Sequence, residues 1–128
     1  MSAMNKTTLL FIRKALEQCN TCPGFYGAVL SSPDGLVLSS SGQFDGDESA
    51  ACASGLIIQT TSSLNQLSAK GPTEILIWGA DNKIWNVTVL TGDYILLIAA
   101  TEVKNIDMLR RLMHRTADML NQALKLLV

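Results

Sequence analysis

The chain has 128 residues, of which 48% are hydrophobic, and its formal net charge is -1. Its length is that of one domain with its own core, so we expect a single domain over residues 1–128. The near-neutral charge argues against nucleic-acid binding, and the apolar runs are too short to span a membrane. No long apolar segment typical of a signal peptide opens the sequence, so we expect a cytoplasmic protein.

The first half of the chain predicts a helix, a β-hairpin and a second helix. Apolar residues recur at helical spacing over residues 4–20, and the stripe expected to face the core comprises Leu9, Ile12, Leu16 and Cys19. Two strands are predicted over 25–32 and 36–41, joined by a turn of sequence PDG. The second helix is predicted over 47–68, and Asp45 precedes it at the D-x-x-E spacing of a capping box.

Three closely spaced strands and a last helix follow. The strands are predicted over 74–80, 83–90 and 94–101, and their short loops permit only antiparallel hairpins. The last helix is predicted over 105–127, with one continuous apolar stripe. The third of these strands is apolar on both faces, as expected of a strand covered by helices on each side.

The middle helix has two faces to bury. Its broad apolar stripe comprises Ala50, Ala53, Leu56, Ile57, Thr60, Leu64 and Leu67. A second stripe of mostly small residues comprises Ala51, Ser54, Gly55, Ile58 and Ser62. Small residues at this spacing permit close approach of a partner helix, and an ordinary exposed face would carry Lys and Glu. The second stripe therefore predicts a dimer interface.

The candidate reactive residues form no recognisable site. Cys19 and Cys22 form a C-x-x-C that closes a helix instead of opening one, which is the wrong polarity for a redox motif. A zinc site would need two more ligands, for which only Cys52 and His114 are available. No phosphate-binding, hydrolase or metalloprotease motif occurs. We therefore predict no catalytic, cofactor-binding or metal-binding residues.

The order of elements resembles the roadblock/dynein light chain family. The resemblance is carried by four segments, GFYGAVLSSPDGLVLSSSG, DESAACASG, ILIWGADNKIWNVTVL and YILLIAAT, and covers about Leu9 to Leu127. It implies an α+β fold, a three-layer α/β/α sandwich around a five-stranded antiparallel sheet. It also implies dimers in which middle helices and third strands pair, which adds Ile75 and Ile77 to the expected interface.

The resemblance implies a non-enzymatic regulator or scaffold that binds a small Ras-like GTPase. Any acceleration of GTP hydrolysis would come from ordering the partner's own residues. We expect a homodimer, with a heterodimer left open, and membrane contact only through a partner. Two alternatives remain: a motor-associated light chain, and a sensory module whose ligand pocket would be lined by Tyr26, Trp78 and Trp85.

Overall fold

A computed structural model describes residues 6–43, 45–101 and 105–126 of the protein. The helices are α1 (Lys6–Glu17), α2 (Gly46–Gln66) and α3 (Ile106–Leu124). The strands are β1 (Phe25–Ser31), β2 (Val37–Gly42), β3 (Glu74–Trp78), β4 (Lys83–Val89) and β5 (Ile95–Thr101). Short 3-10 turns occupy Gln18–Thr21 and Thr91–Asp93.

The five strands form one antiparallel sheet in the order β2-β1-β5-β4-β3. Helices α1 and α3 pack on one face of this sheet, and α2 packs on the other. The predicted α+β three-layer sandwich, with its order of helices and strands, is confirmed. The fully apolar β5 lies at the centre of the sheet, where both of its faces are covered.

The larger core lies between the sheet and the pair α1 and α3. Its completely buried side chains come from α1, α3 and the strands. They include Ile12, Leu16, Leu30, Ile84, Leu96, Ile98, Leu109 and Leu120. Alternate residues of each strand point to this face, and residues at helical spacing of α1 and α3 meet them. The Ser41 hydroxyl also donates to the Leu16 carbonyl at 3.3 Å, which ties β2 to α1.

The core on the α2 face is smaller. Its buried members are Val29, Ala50, Ala53, Val87, Ile95 and Leu97. Because α2 packs over β1, β2 and β5, the outer strands β3 and β4 are only partly covered on this face. The small side chains of α2 bring its backbone close to the sheet but cover little of the surface beside it.

Two helices begin at the caps that their sequences supply. The Asp45 carboxylate accepts a hydrogen bond from the Glu48 backbone N–H at 3.0 Å, which confirms the predicted start of α2. The Asn105 side chain accepts from the N–H groups of Asp107 and Met108 at the start of α3.

The structure corrects the sequence analysis at a few positions. Helix α1 ends at Glu17, because the chain tightens into a 3-10 turn before β1. Leu67 was expected on the sheet face of α2 but follows the last helical residue and is 76% exposed. Leu9 was expected in the core but lies at the edge of the buried stripe, where Thr8 is buried instead. Residues 4, 5 and 127 lie outside the described residues.

Candidate partner interface

The second stripe of α2 faces away from the sheet. Ile58 is 69% exposed, and Ala51, Gly55 and Ser62 are exposed as well. Ser54 is half-buried at the side of the helix. A methyl group added at Gly55 would meet no other atom within 4 Å, so the space above this part of α2 is open. A large aliphatic side chain therefore stands in the middle of a surface that is otherwise small and flat.

The edge strand β3 lies beyond the groove that borders α2. It pairs only with β4 among the described residues, so its outer backbone groups lack a strand partner. Ile75 pairs with Val87 and Ile77 with Trp85, which places both isoleucines on the α2 side of the sheet. The opposite edge β2 reads VLSSSG, whereas β3 reads EILIW. The apolar edge is therefore β3, and an exposed apolar edge strand promotes aggregation unless another strand pairs with it.

An apolar groove of about 390 Å³ separates α2 from the outer strands. Its lining includes Cys52 and Leu56 from α2 and Ile77, Trp85 and Leu97 from the sheet. A smaller groove of about 150 Å³ follows the other side of α2, between Ile58 and the turns around Pro33 and Asp93. Both sides of α2 are therefore open to a large apolar side chain from a partner.

The three aromatic residues proposed for a ligand pocket do not come together. Trp85 lines the groove beside α2. Trp78 pairs with Ile84, points to the other face of the sheet and is 57% exposed. Tyr26 lies under the Lys83 ammonium group, which is 5.8 Å from the centre of its ring. The predicted ligand pocket of the sensory interpretation was therefore wrong. Alternate residues of a strand point to opposite faces of the sheet, and Trp78 and Trp85 lie on different faces.

The thiol and imidazole groups also lie apart. Cys19 is buried against α3, with its Sγ 3.4 Å from Thr116 Oγ1, and Cys22 is half-buried. Burial is the main cause that raises the pKa of both thiols, so both stay protonated and weakly nucleophilic at neutral pH. Cys52 is exposed on α2, and His114 Nε2 lies 3.5 Å from Glu74 Oε2. The described residues contain no group of three potential metal ligands.

None of the helices in the described part of the chain has the length and apolar character needed to cross a membrane.

The Roadblock/LC7 domain model matches residues 12–102, which is most of the chain. The protein belongs to the Roadblock/LC7 family. This confirms the resemblance on which the sequence analysis relied. A search of curated protein sequences finds no significant match to this Roadblock/LC7 chain.

Solved structures share the fold of this Roadblock/LC7 domain at low sequence identity. MglB from Myxococcus xanthus superimposes with a TM-score of 0.85 at 15% identity, covering 99% of this chain and 97% of that one. An MglB structure described as having a tetrameric arrangement gives a TM-score of 0.87 at 15% identity, with 98% and 96% covered. A Roadblock/LC7 domain from Streptomyces avermitilis gives 0.73 at 21% identity, with 88% and 93% covered.

Proposed function

We propose that this Roadblock/LC7 domain is a dimeric, non-enzymatic regulator or scaffold that binds a small Ras-like GTPase in the cytoplasm. We further propose that residues 1–128 act as one domain. The observation that carries the proposal is the uncovered α2 face, where an exposed isoleucine, a stripe of small residues and two apolar grooves adjoin an unpaired strand edge.

The proposed dimer pairs α2 with α2 and β3 with β3. Antiparallel pairing of two identical strands in one sheet requires a two-fold axis perpendicular to the sheet. Both copies of α2 then lie on the same face, where Ile58 comes close to its symmetry mate. The proposed interface is made by Ala51, Ser54, Gly55, Ile58, Ser62, Ile75 and Ile77. Such pairing would hydrogen-bond the free edge and cover the apolar groove in a single step.

Self-association has support from the family as well as from the surface. One structural relative, MglB, is described as having a tetrameric arrangement. The free edge strand and α2 border the same apolar groove, so a single two-fold interface can include both. A homodimer is the simpler choice, because both proposed contacts are self-complementary in this chain.

The side chains that line this face are consistent with regulation by contact with a partner. Among the described residues, the groove beside α2 is lined by the Cys52 thiol, the Ser49 hydroxyl and the Glu48 carboxylate, but by no Arg, Lys or His side chain. It therefore offers no cation to stabilise a transferring phosphoryl group. We expect any effect on GTP hydrolysis to act through the GTPase's own switch segments. Because these segments order differently with the terminal phosphate present, the two nucleotide states should bind unequally.

Affinity purification of the tagged chain from its source cells, followed by identification of the captured proteins, tests the partner class. A captured GTPase is then titrated into the chain by calorimetry, loaded with GDP or with a non-hydrolysable GTP analogue. We expect tighter binding of one nucleotide state. Equal affinity for both states would remove the regulatory role and leave a passive scaffold, and capture of no GTPase would contradict the proposal.

A matched pair of variants locates the binding surface in the same experiment. Ile58→Arg changes an exposed side chain on α2, whereas Leu36→Arg changes an equally exposed one in the turn between β1 and β2. We expect only Ile58→Arg to weaken GTPase binding. Equal loss in both variants, or full binding by a monomeric Ile58→Arg, would show that the paired α2 helices are not the platform.

A further inference from the structure

The charged residues are divided between the two sides of the sheet. Helices α1 and α3 and the following Lys125 carry seven of the ten basic residues but only three of the eleven acidic ones, a formal excess of +4. The rest of the chain therefore has three basic and eight acidic residues, an excess of -5. The α2 helix contains Asp47 and Glu48 and no Lys or Arg. The near-neutral total conceals this separation.

The positive charges of the α1 and α3 layer are available to a partner. Its basic side chains are all exposed: Lys6, Arg13, Lys14, Arg110, Arg111, Arg115 and Lys125. Arg13 pairs with Glu17 at 3.1 Å, and the other six have no ion pair within the described residues. An unpaired, exposed set of this size attracts an anionic surface over about one Debye length.

Large apolar side chains stand among these charges. Leu10 is 50% exposed, and Leu126 is 79% exposed. Phe11 and Leu126 border an apolar groove of about 240 Å³ between α1 and α3. Nucleic-acid phosphates would gain nothing from such side chains, whereas the headgroup region of a bilayer accepts them between its lipids. Apolar tips surrounded by Lys and Arg are typical of helices that lie on a membrane surface.

We infer that the α1 and α3 layer docks on a membrane surface rich in anionic phospholipids. This inference rests on the proposed dimer for its strength. A two-fold axis perpendicular to the sheet places the α1 and α3 layers of both copies on the same side, which doubles the excess to +8 on one broad surface. A bilayer engages both layers at once, and two linked sites bind far more tightly than one. The acidic α2 platform then faces away from the lipid.

The inference changes one expectation of the sequence analysis. With the family resemblance, membrane contact was expected only through a partner. The basic residues of α1 and α3 are at least 96 positions apart in sequence, as between Lys14 and Arg110, and only the packing of the two helices side by side brings them together.

Sedimentation with lipid vesicles tests the inference on the full chain. We expect binding to vesicles of equal parts phosphatidylglycerol and phosphatidylcholine, no binding to phosphatidylcholine alone, and release by salt. Each Lys or Arg near an anionic surface contributes about a fivefold increase in binding. Lys14→Gln/Lys125→Gln should therefore weaken binding by at least about 25-fold, whereas Lys70→Gln/Lys83→Gln, which removes the same charge elsewhere, should leave it within about twofold.

A second matched pair of variants tests how much the apolar side chains contribute to vesicle binding. Leu10→Gln removes an exposed leucine inside the layer, and Leu36→Gln removes one outside it. We expect about a fivefold loss of vesicle binding for Leu10→Gln and no loss for Leu36→Gln. Equal effects within either pair, or no binding of the wild-type chain to the anionic vesicles at low salt, would overturn the inference. Binding to soluble polyglutamate without vesicle binding would also overturn it and indicate an acidic protein partner.

Measuring the oligomeric state of each sample separates this inference from the proposed function. If the chain is a dimer that does not bind anionic vesicles, the membrane inference is refuted, whereas the proposed binding of a GTPase is not affected. A monomeric wild-type chain that still binds them refutes the dimer alone, because one layer retains its excess of +4. We expect Ile58→Arg to bind the vesicles more weakly than wild type, because a monomer engages the lipid with one layer only.

Discussion

The two faces of the sheet are closed to different degrees. On one face, α1 and α3 together cover the strands, and their contacts bury large side chains such as Leu96 and Leu120 completely. On the other face, a single helix with small buried residues leaves two grooves beside it. The first face stabilises the subunit by itself. The second has the apolar surface of a core, but no second element covers it within residues 6–43, 45–101 and 105–126, which is why we assign it to a partner.

The comparison predicts a large cost for truncating the closed core. Leu120→Ala removes a side chain with no exposed surface, so we expect the free energy of unfolding to fall by about 3 kcal/mol. Leu56→Ala removes a half-buried side chain beside the groove and should cost about 1 kcal/mol in the isolated subunit. Urea denaturation at low protein concentration measures both. Equal costs would mean that the two faces are packed alike.

Two neighbouring positions on α2 test whether one face of this helix packs on the core while the other faces solvent. Ile57→Arg places a charge against the smaller core, and we expect a loss of about 2 kcal/mol or more, measured by thermal unfolding followed by circular dichroism at a dilution where wild type is monomeric. Ile58→Arg changes a side chain that faces solvent in the subunit and should cost less than about 0.5 kcal/mol there. Similar losses in the two variants would refute the assignment of two faces to α2.

The buried thiol gives the closed face a pH dependence. The folded protein raises the pKa of Cys19 above its ordinary value of 9.0, mainly through burial. The stability from the protonated thiol is complete below pH 9 and is lost as the pH rises through the folded pKa, since the unfolded chain ionises first. Denaturation from pH 8 to pH 10.5 should therefore show a steeper decline for wild type than for Cys19→Ala. A parallel decline would contradict this.

Removing the C-x-x-C pair should have a modest effect. Cys19→Ala/Cys22→Ser deletes one buried and one half-buried sulfur, for which we expect a loss of about 1–2 kcal/mol in urea denaturation. The exposed Cys52→Ala serves as the control and should change stability little. One equivalent of zinc per chain, found by elemental analysis, or unfolding by a chelator would instead revive a metal site.

The smallest effect is expected at the surface of α1. Arg13 and Glu17 form an ion pair at 3.1 Å with both side chains largely exposed. Solvent and salt screen such a pair, so Arg13→Ala should lower the free energy of unfolding by no more than about 0.5 kcal/mol. A loss above about 1 kcal/mol would indicate that the outer side of α1 is already buried by another copy in solution.

The sequence predicted the elements of the fold well because each one carries a local signal. Strand alternation, short turns and the Asp45 cap place β3, β4, β5 and α2 within a few residues of their observed bounds. The exposed stripe with Ile58 was also predicted, since helical periodicity separates two faces. In contrast, the exposure of Leu9 and Leu67 depends on where each helix lies on the sheet, which spacing alone does not determine.

The grooves and the charged layer could not be read from spacing. The groove beside α2 exists because this helix crosses β1, β2 and β5 and stops short of β4 and β3, a placement set by packing. Cys52 and Trp85 line it together although 33 positions separate them in the chain. Such arrangements arise from contacts between distant segments and become visible only when the layers are assembled.

Sedimentation equilibrium at micromolar concentration tests the central claim, that the α2 face is a self-association surface. The wild-type chain should sediment with twice the mass of its 13.8 kDa subunit, and Ile58→Arg should sediment as a folded monomer. A wild-type monomer, or an Ile58→Arg chain that remains dimeric, would contradict the account.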